Sequence, residues 1–151
     1  MSLTLTAVAL AILCSWIAIR RARVARERHE MEIHSIEPER LHEELASGQE
    51  VLVYDVRLPL DVLTNSEIIP GARRVSPSEI IKDPSLIPKD QDSVVYCTCP
   101  GDESSLSILH RALARGYIRV RFLRGGLAAW KAKGYPVELY KESFHLDTGA
   151  S

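Results

Sequence analysis

The chain has few cysteines: Cys14 lies in an apolar N-terminal run, and Cys97 and Cys99 stand two positions apart. That pattern supplies neither a disulfide framework nor paired zinc-ligand spacings, and it points to a reducing compartment. An excess of one charge is lacking too. At a formal net charge of -1, the overall balance gives no electrostatic footprint for nucleic acid. No internal repeat or low-complexity tract is visible, and 151 residues hold one ordinary domain once the N-terminal run is set aside.

Between Ser2 and Ile19 charge is missing altogether, and the run then stops against Arg20, Arg21, Arg23, Arg26 and Arg28. A helix over residues 2–19 would rise roughly 27 Å, slightly less than the roughly 30 Å hydrocarbon core but workable with local thinning. The expectation is one transmembrane helix, with Trp16 near its interfacial end. A cleavable signal peptide wants positive charge before the apolar run, and here all of it follows. Leu13 directly before Cys14 also suits a lipoprotein processing site poorly. The arginines would hold the carboxyl-terminal side in the cytoplasm, making a single-pass membrane protein with a short external N-terminus. Residues 20–31 read as a basic juxtamembrane helix or linker, with anionic lipid as its one added partner.

Over residues 32–140 the rhythm is that of a small α/β domain. Ile33 and Ile36 suggest a first strand, and Pro38 with Leu41, Leu45 and Ala46 suggests a helix ending near Gly48. Val51 to Val56 reads as a buried strand. Ile69-Pro70-Gly71-Ala72 turns into a short strand over 73–75, and Ser76-Pro77-Ser78-Glu79 caps a brief helix. A strand around Val94, a helix over 105–115 ending at Gly116, a strand over 120–123 and a helix over 127–133 closed by Gly134 complete the series. Alternation of this kind predicts a doubly wound, mainly parallel sheet with helices on both faces. Residues 141–151 read as a loosely ordered tail.

The chemistry belongs to Ser93-Val94-Val95-Tyr96-Cys97-Thr98-Cys99-Pro100-Gly101-Asp102-Glu103-Ser104-Ser105. An apolar, β-rich run delivers a thiol to its carboxyl end, a Pro-Gly loop follows, and a helical pattern with Leu106, Leu109, Ala112 and Leu113 on one face begins. In an open α/β sheet, ligands bind in the crevice at the carboxyl ends of the strands, where first-turn helix amides are unpaired donors. On composition alone, a lone cysteine at a strand end is also well explained as a small buried hydrophobe.

Three groups of residues resemble the rhodanese-like (sulfurtransferase) domain family. Asp55-Val56-Arg57 followed by Ile69-Pro70-Gly71-Ala72 is similar to its Asp-Val-Arg and Ile-Pro-Gly-Ala signatures. Val95-Tyr96-Cys97 is similar to the strand presenting its active cysteine, and Leu123-Arg124-Gly125-Gly126 with Trp130, Gly134, Pro136 and Val137 is similar to its carboxyl-terminal signature. The resemblance implies that Cys97 is the nucleophile, accepting a sulfane sulfur as a persulfide and passing it to a thiol or other nucleophile, with no cofactor. A catalytically silent binding module of the same fold at the membrane, recruiting a protein partner, is the alternative.

Thr98, Pro100, Gly101, Asp102, Glu103 and Ser104 would form the active-site loop, and they depart from the family pattern. Many members carry an arginine just after the cysteine. This loop has no basic side chain, Pro100 removes one N-H, and Asp102 and Glu103 add negative charge. A carboxylate about 6 Å from the sulfur would cost about 3 kcal/mol at an effective dielectric near 20, and a fraction of that if it points into water. Such a loop suits a doubly charged donor such as thiosulfate poorly. The missing arginine also argues against cysteine phosphatase chemistry, which needs one to bind phosphate. Cys99 is either a resolving thiol or a loop residue. Asp55 reads as a hydrogen-bond anchor for neighbouring loops, and Arg57 either pairs with it or faces the pocket. Gly125, Gly126 and Trp130 read as structural, and His110 as an exposed surface residue.

Overall fold

The computed structural model describes residues 2–98 and 110–141, the side chains of residues 2–5 and of Ile81 excepted. The chain divides into two compact units, Met1–Ile33 and His34–Ser151.

The first unit is a single helix, α1 (Ser2–Ile33). The arginine-rich part continues the apolar part without a break, because its residues are strong helix formers and Arg26 meets Glu30 one turn on, at 3.2 Å. Among the described residues, no helix is long and apolar enough to cross a membrane. The structure therefore does not support the expected transmembrane helix over 2–19. The stretch from Thr6 to Ile19 is uncharged, and Arg20 and Arg21 follow it directly on the same helix. Within that stretch Val8, Leu10, Ile12, Leu13, Trp16 and Ile19 are exposed.

The second unit runs β1 (Ser35–Ile36), α2 (Pro38–Ala46), β2 (Leu52–Asp55), α3 (Pro59–Thr64), β3 (Glu67–Ile68), β4 (Arg73–Arg74), α4 (Pro77–Lys82) and β5 (Ser93–Tyr96). The helical residues 110–114 follow as α5, then β6 (Val120–Leu123), α6 (Gly126–Ala132) and β7 (Glu138–Leu139). Five strands form one sheet in the order β1-β6-β5-β2-β4, and every neighbouring pair is parallel. Strand β5 is central. Val94 pairs with Val53 on one side and with Arg121 on the other, and all four of its residues are buried. This is why it reads as an unbroken apolar run rather than an alternating one.

From β2 the chain steps outward to β4, then returns past β2 to β5 and continues to β6. Right-handed crossovers running in opposite directions place their helices on opposite faces, which gives the doubly wound arrangement. The reversal of direction lies between β2 and β5. It opens a crevice at their carboxyl ends, where open α/β sheets hold ligands.

Local chemistry accounts for most boundaries. Pro38 stands in the first turn of α2; its missing N-H costs nothing there. Helix α4 opens on a capping box: Ser76 Oγ accepts from Glu79 N at 3.3 Å, and Glu79 Oε2 accepts from Ser76 N at 2.6 Å. One core cluster includes Ile36, Leu41, Val53, Ile69, Tyr96 and Trp130. Trp130 is 1 % exposed, and its indole N-H donates to Pro136 O at 2.8 Å. A bulky side chain that is both buried and hydrogen-bonded is a structural one.

Three features differ from expectation. Ile33 ends α1 instead of opening a strand, and β1 is held by Phe122 N donating to His34 O at 2.7 Å and Arg124 N to Ile36 O at 2.9 Å. Helix α3 fills a stretch that carried no predicted element. Strands β3 and β7 form a separate antiparallel pair. The tail expected over 141–151 lies, beyond Lys141, outside the described residues.

Candidate active site

Strand β5 ends at Tyr96, so Cys97 is the first residue past the central strand and stands at the crevice. Its thiol is free and half-buried. Thr98 is exposed and marks the start of the loop. Cys99, Pro100, Gly101, Asp102, Glu103 and Ser104 lie outside the described residues.

The neighbouring strand end is locked by buried charge. Asp55 and Arg57 each have no exposed side-chain surface, and Arg57 Nη2 stands 2.5 Å from Asp55 Oδ2. Arg57 Nε lies 2.9 Å from both carboxylate oxygens, and the backbone N-H of Arg57 donates to Oδ1 at 3.0 Å. The remaining edge of the guanidinium donates to Asn65 O and Glu67 O, each at 2.9 Å. Two charges removed from water are tolerable only when geometry and hydrogen bonds offset their desolvation, and here both conditions are met. Arg57 therefore pairs with Asp55 and pins the segment before β3. Four of its five N-H donors are committed to the protein and the side chain has no exposed surface, which removes it as an anion-binding side chain for the crevice.

Tyr96 connects the two strand ends. Its hydroxyl donates to Asp55 Oδ2 at 3.2 Å and accepts from Ile69 N at 3.2 Å. Burial, with the nearby Asp55 carboxylate second, pushes the phenol far above its ordinary range, so it remains a neutral donor. Val56 N donates to Tyr96 O at 3.0 Å, and Val75 N donates to Asp55 O at 3.0 Å, so the carboxyl ends of β5, β2 and β4 are stitched in sequence. Asp55 thus serves as the anchor of three segments. Arg74 adds a fourth link, donating from Nη2 to Arg57 O at 3.2 Å.

On the β6 side the backbone itself forms the wall. Gly125 and Gly126 both take positive φ, +68° and +58°, and a Cβ on Gly126 would fall 2.1 Å from the carbonyl oxygen of Cys97. Only glycine fits so close an approach. Gly126, read as structural in the sequence, thus abuts the cysteine backbone directly, while Gly125 faces Ala129.

Asp61 was not anticipated. It sits in the first turn of α3, and its Oδ2 accepts from Thr98 Oγ1 at 2.9 Å. A signal for it was present: Leu58-Pro59-Leu60-Asp61-Val62 places proline at the first helical turn and an acid within that turn, before the buried Val62. His110, in α5, is exposed. Among the described residues, no group of three or more His, Cys, Asp or Glu is placed to hold a metal ion.

Comparison with known proteins meets this geometry. The rhodanese-like domain family profile matches residues 37–133. A sulfurtransferase of Allochromatium vinosum is 34 % identical over 105 residues, covering 70 % of this chain and 94 % of that protein. The crystal structure of an Anabaena sp. protein superimposes with a TM-score of 0.58 at 30 % identity, covering 70 % of this chain and 82 % of that one. A rhodanese-related protein of Thermoplasma volcanium shares the fold at 22 % identity, with a TM-score of 0.56 over 71 % of this chain and 99 % of its own.

Proposed function

Because this chain belongs to the rhodanese-like domain family, we propose that it is a sulfurtransferase moving a sulfane sulfur through a persulfide on Cys97. The observation that carries the reading is the free, half-buried Cys97 thiol just past the central parallel strand, at the point where the sheet reverses direction.

The chemistry consists of two displacements. In the first, the Cys97 thiolate attacks the outer sulfur of the donor. A new S-S bond forms, and the bond from that sulfur to the rest of the donor breaks, its electron pair leaving on sulfite, sulfinate or thiolate. In the second, a thiolate or other nucleophile attacks the terminal sulfur of the persulfide, and the S-S pair returns to Cys97. No net oxidation occurs, and no cofactor is called for. What the chain must supply is an accessible thiolate and donors for developing anionic sulfur.

Asp102 and Glu103 in the loop, and the commitment of Arg57 to Asp55, favour donors of low charge, such as a persulfide or thiosulfonate, over thiosulfate. The same acidic loop supports the second reading, a binding module without turnover. Cys99 would act as a resolving thiol if it attacks the Cys97 persulfide. Membrane attachment belongs to the proposal as well and rests on sequence alone: the uncharged stretch from Ser2 to Ile19, followed by arginines, would put the domain on the cytoplasmic side. Protease protection of the domain in right-side-out vesicles is the expected result, and digestion from outside would contradict it.

Turnover of thiosulfate, a thiosulfonate and a low-molecular-weight persulfide by the full chain in detergent tests the enzymatic reading. We expect turnover with the persulfide and thiosulfonate, its loss in Cys97→Ser, and little with thiosulfate. No turnover with any donor would leave the binding module standing.

A further inference from the structure

We propose that Asp61 is a positioning residue for the sulfur-transfer step, acting through Thr98 on the peptide that follows Cys97. The inference rests on the assignment of Cys97 above and extends it to a residue from a different element. The hydrogen bond from Thr98 Oγ1 to Asp61 Oδ2, 2.9 Å, joins the start of the cysteine loop to α3. The two residues are 37 positions apart in sequence. A threonine hydroxyl has one proton to donate. Given to Asp61, that proton is withheld from the cysteine sulfur, and the side chain is held toward α3.

Asp61 is suited to this role because α3 is itself fixed. Val62, its next residue, is fully buried. The backbone around Asp61 is closed by Asp61 N donating to Leu58 O and Asn65 N donating to Asp61 O, each at 3.0 Å. Asp61 is half-buried and Thr98 is exposed, so the anchored partner is the aspartate and the held partner is the loop. The tie also sets a carboxylate one residue away from the nucleophile. Geometry and charge therefore make separable contributions: the hydrogen bond favours every donor, whereas the charge disfavours doubly negative ones.

Four variants of the full chain separate the two: Asp61→Asn, Asp61→Ala, Thr98→Ser and Thr98→Val. The measurements are single-turnover persulfide formation with a thiosulfonate and with thiosulfate, and peptide-resolved alkylation of Cys97 by neutral iodoacetamide across pH. Asp61→Ala and Thr98→Val should each slow persulfide formation from the thiosulfonate about tenfold, the scale of one hydrogen bond to a charged group. Together they should be no worse than either alone. Thr98→Ser keeps the hydroxyl and should recover most of the rate that Thr98→Val loses. Asp61→Asn keeps an acceptor and removes the charge, so it should hold the thiosulfonate rate within about twofold and raise the thiosulfate rate relative to it.

A residue that only supported the fold would lower thermal stability in Asp61→Ala without this donor dependence or the rescue by asparagine. Rates for Asp61→Ala and Thr98→Val equal to the parent, or fully additive losses, would overturn the proposal. Failure of the Cys97 assignment looks different: no variant, nor the parent, would form a persulfide. Equal Cys97 alkylation profiles in all variants would then overturn the positioning role as well.

Discussion

The two sides of the crevice are built on opposite terms. On the β2 side, Asp55 and Arg57 are buried, and their polar groups are bonded to one another, to the Tyr96 hydroxyl at the end of β5 and to the backbone of Asn65 and Glu67. On the β5 side, Cys97 is half-buried with a free thiol, and Thr98 is held to α3 by one side-chain hydrogen bond. The division teaches where strength and reactivity are placed. Charge is sequestered where it fixes the scaffold, and the nucleophile stands beside it without being drawn into that network.

Breaking the locked side should have the largest effect. Arg57→Met leaves Asp55 buried without its counter-ion and should cost about 3–5 kcal/mol. A urea titration in a Trp16→Phe background, followed by Trp130 fluorescence, would measure it. A cost below about 1 kcal/mol would mean that the pair is not buried as described.

Gly126→Ala tests the wall on the β6 side of the cysteine. Its Cβ would lie 2.1 Å from Cys97 O at a φ of +58°, so overpacking and backbone strain together should cost about 2–4 kcal/mol. The alkylation rate of Cys97 should change with it, because the clash falls on the cysteine's own carbonyl. An unchanged rate would separate the wall from the nucleophile.

Tyr96→Phe removes the link between the sides without opening a cavity. It leaves Ile69 N without its acceptor and takes one donor from Asp55, at a cost of about 1–3 kcal/mol. Since the phenol is held far above its usual range, the loss should be the same from pH 6 to pH 9. A cost varying over that window would contradict a neutral Tyr96.

The smallest effect is expected far from the crevice, at Glu44. Hydrogen bonding to Arg121, at 2.7 and 3.0 Å, holds its carboxyl below the usual carboxylate value, despite opposing desolvation. A depressed folded-state value means that the contribution is fully present above the unfolded pKa, about 4.3, and is lost as pH falls through the folded one. Glu44→Gln should therefore lower stability at pH 7 and flatten its decline below about pH 4.5. An acid limb identical to the parent's would show that Arg121 does not hold the carboxylate.

How much of this was legible in the sequence follows the same physical division. Elements set by local chemistry were readable: the capping box at Ser76 and Glu79, the buried run at β5, and the glycine after α6 all act within a few residues. What depends on distant partners was not. The two-residue strands β3 and β7 have no periodicity to detect, and their pairing is decided by residues some 70 positions apart. Arg57 could not be assigned to Asp55 rather than to the crevice until Asn65 O and Glu67 O were seen to take its other donors. Asp61 was overlooked because its partner lies across the crevice in a different element. The apolar N-terminal run shows the reverse case, a composition signal that the described structure does not support as a membrane span.

The central claim is that Cys97 carries the sulfur. Treating the full chain with a low-molecular-weight persulfide, trapping with a neutral alkylating agent and mapping peptides by mass spectrometry tests it most directly. The account predicts one added sulfur on Cys97 of the parent and none on the corresponding peptide of Cys97→Ser. Added sulfur on Cys99, or labelling of the loop undiminished by Cys97→Ser, would contradict it.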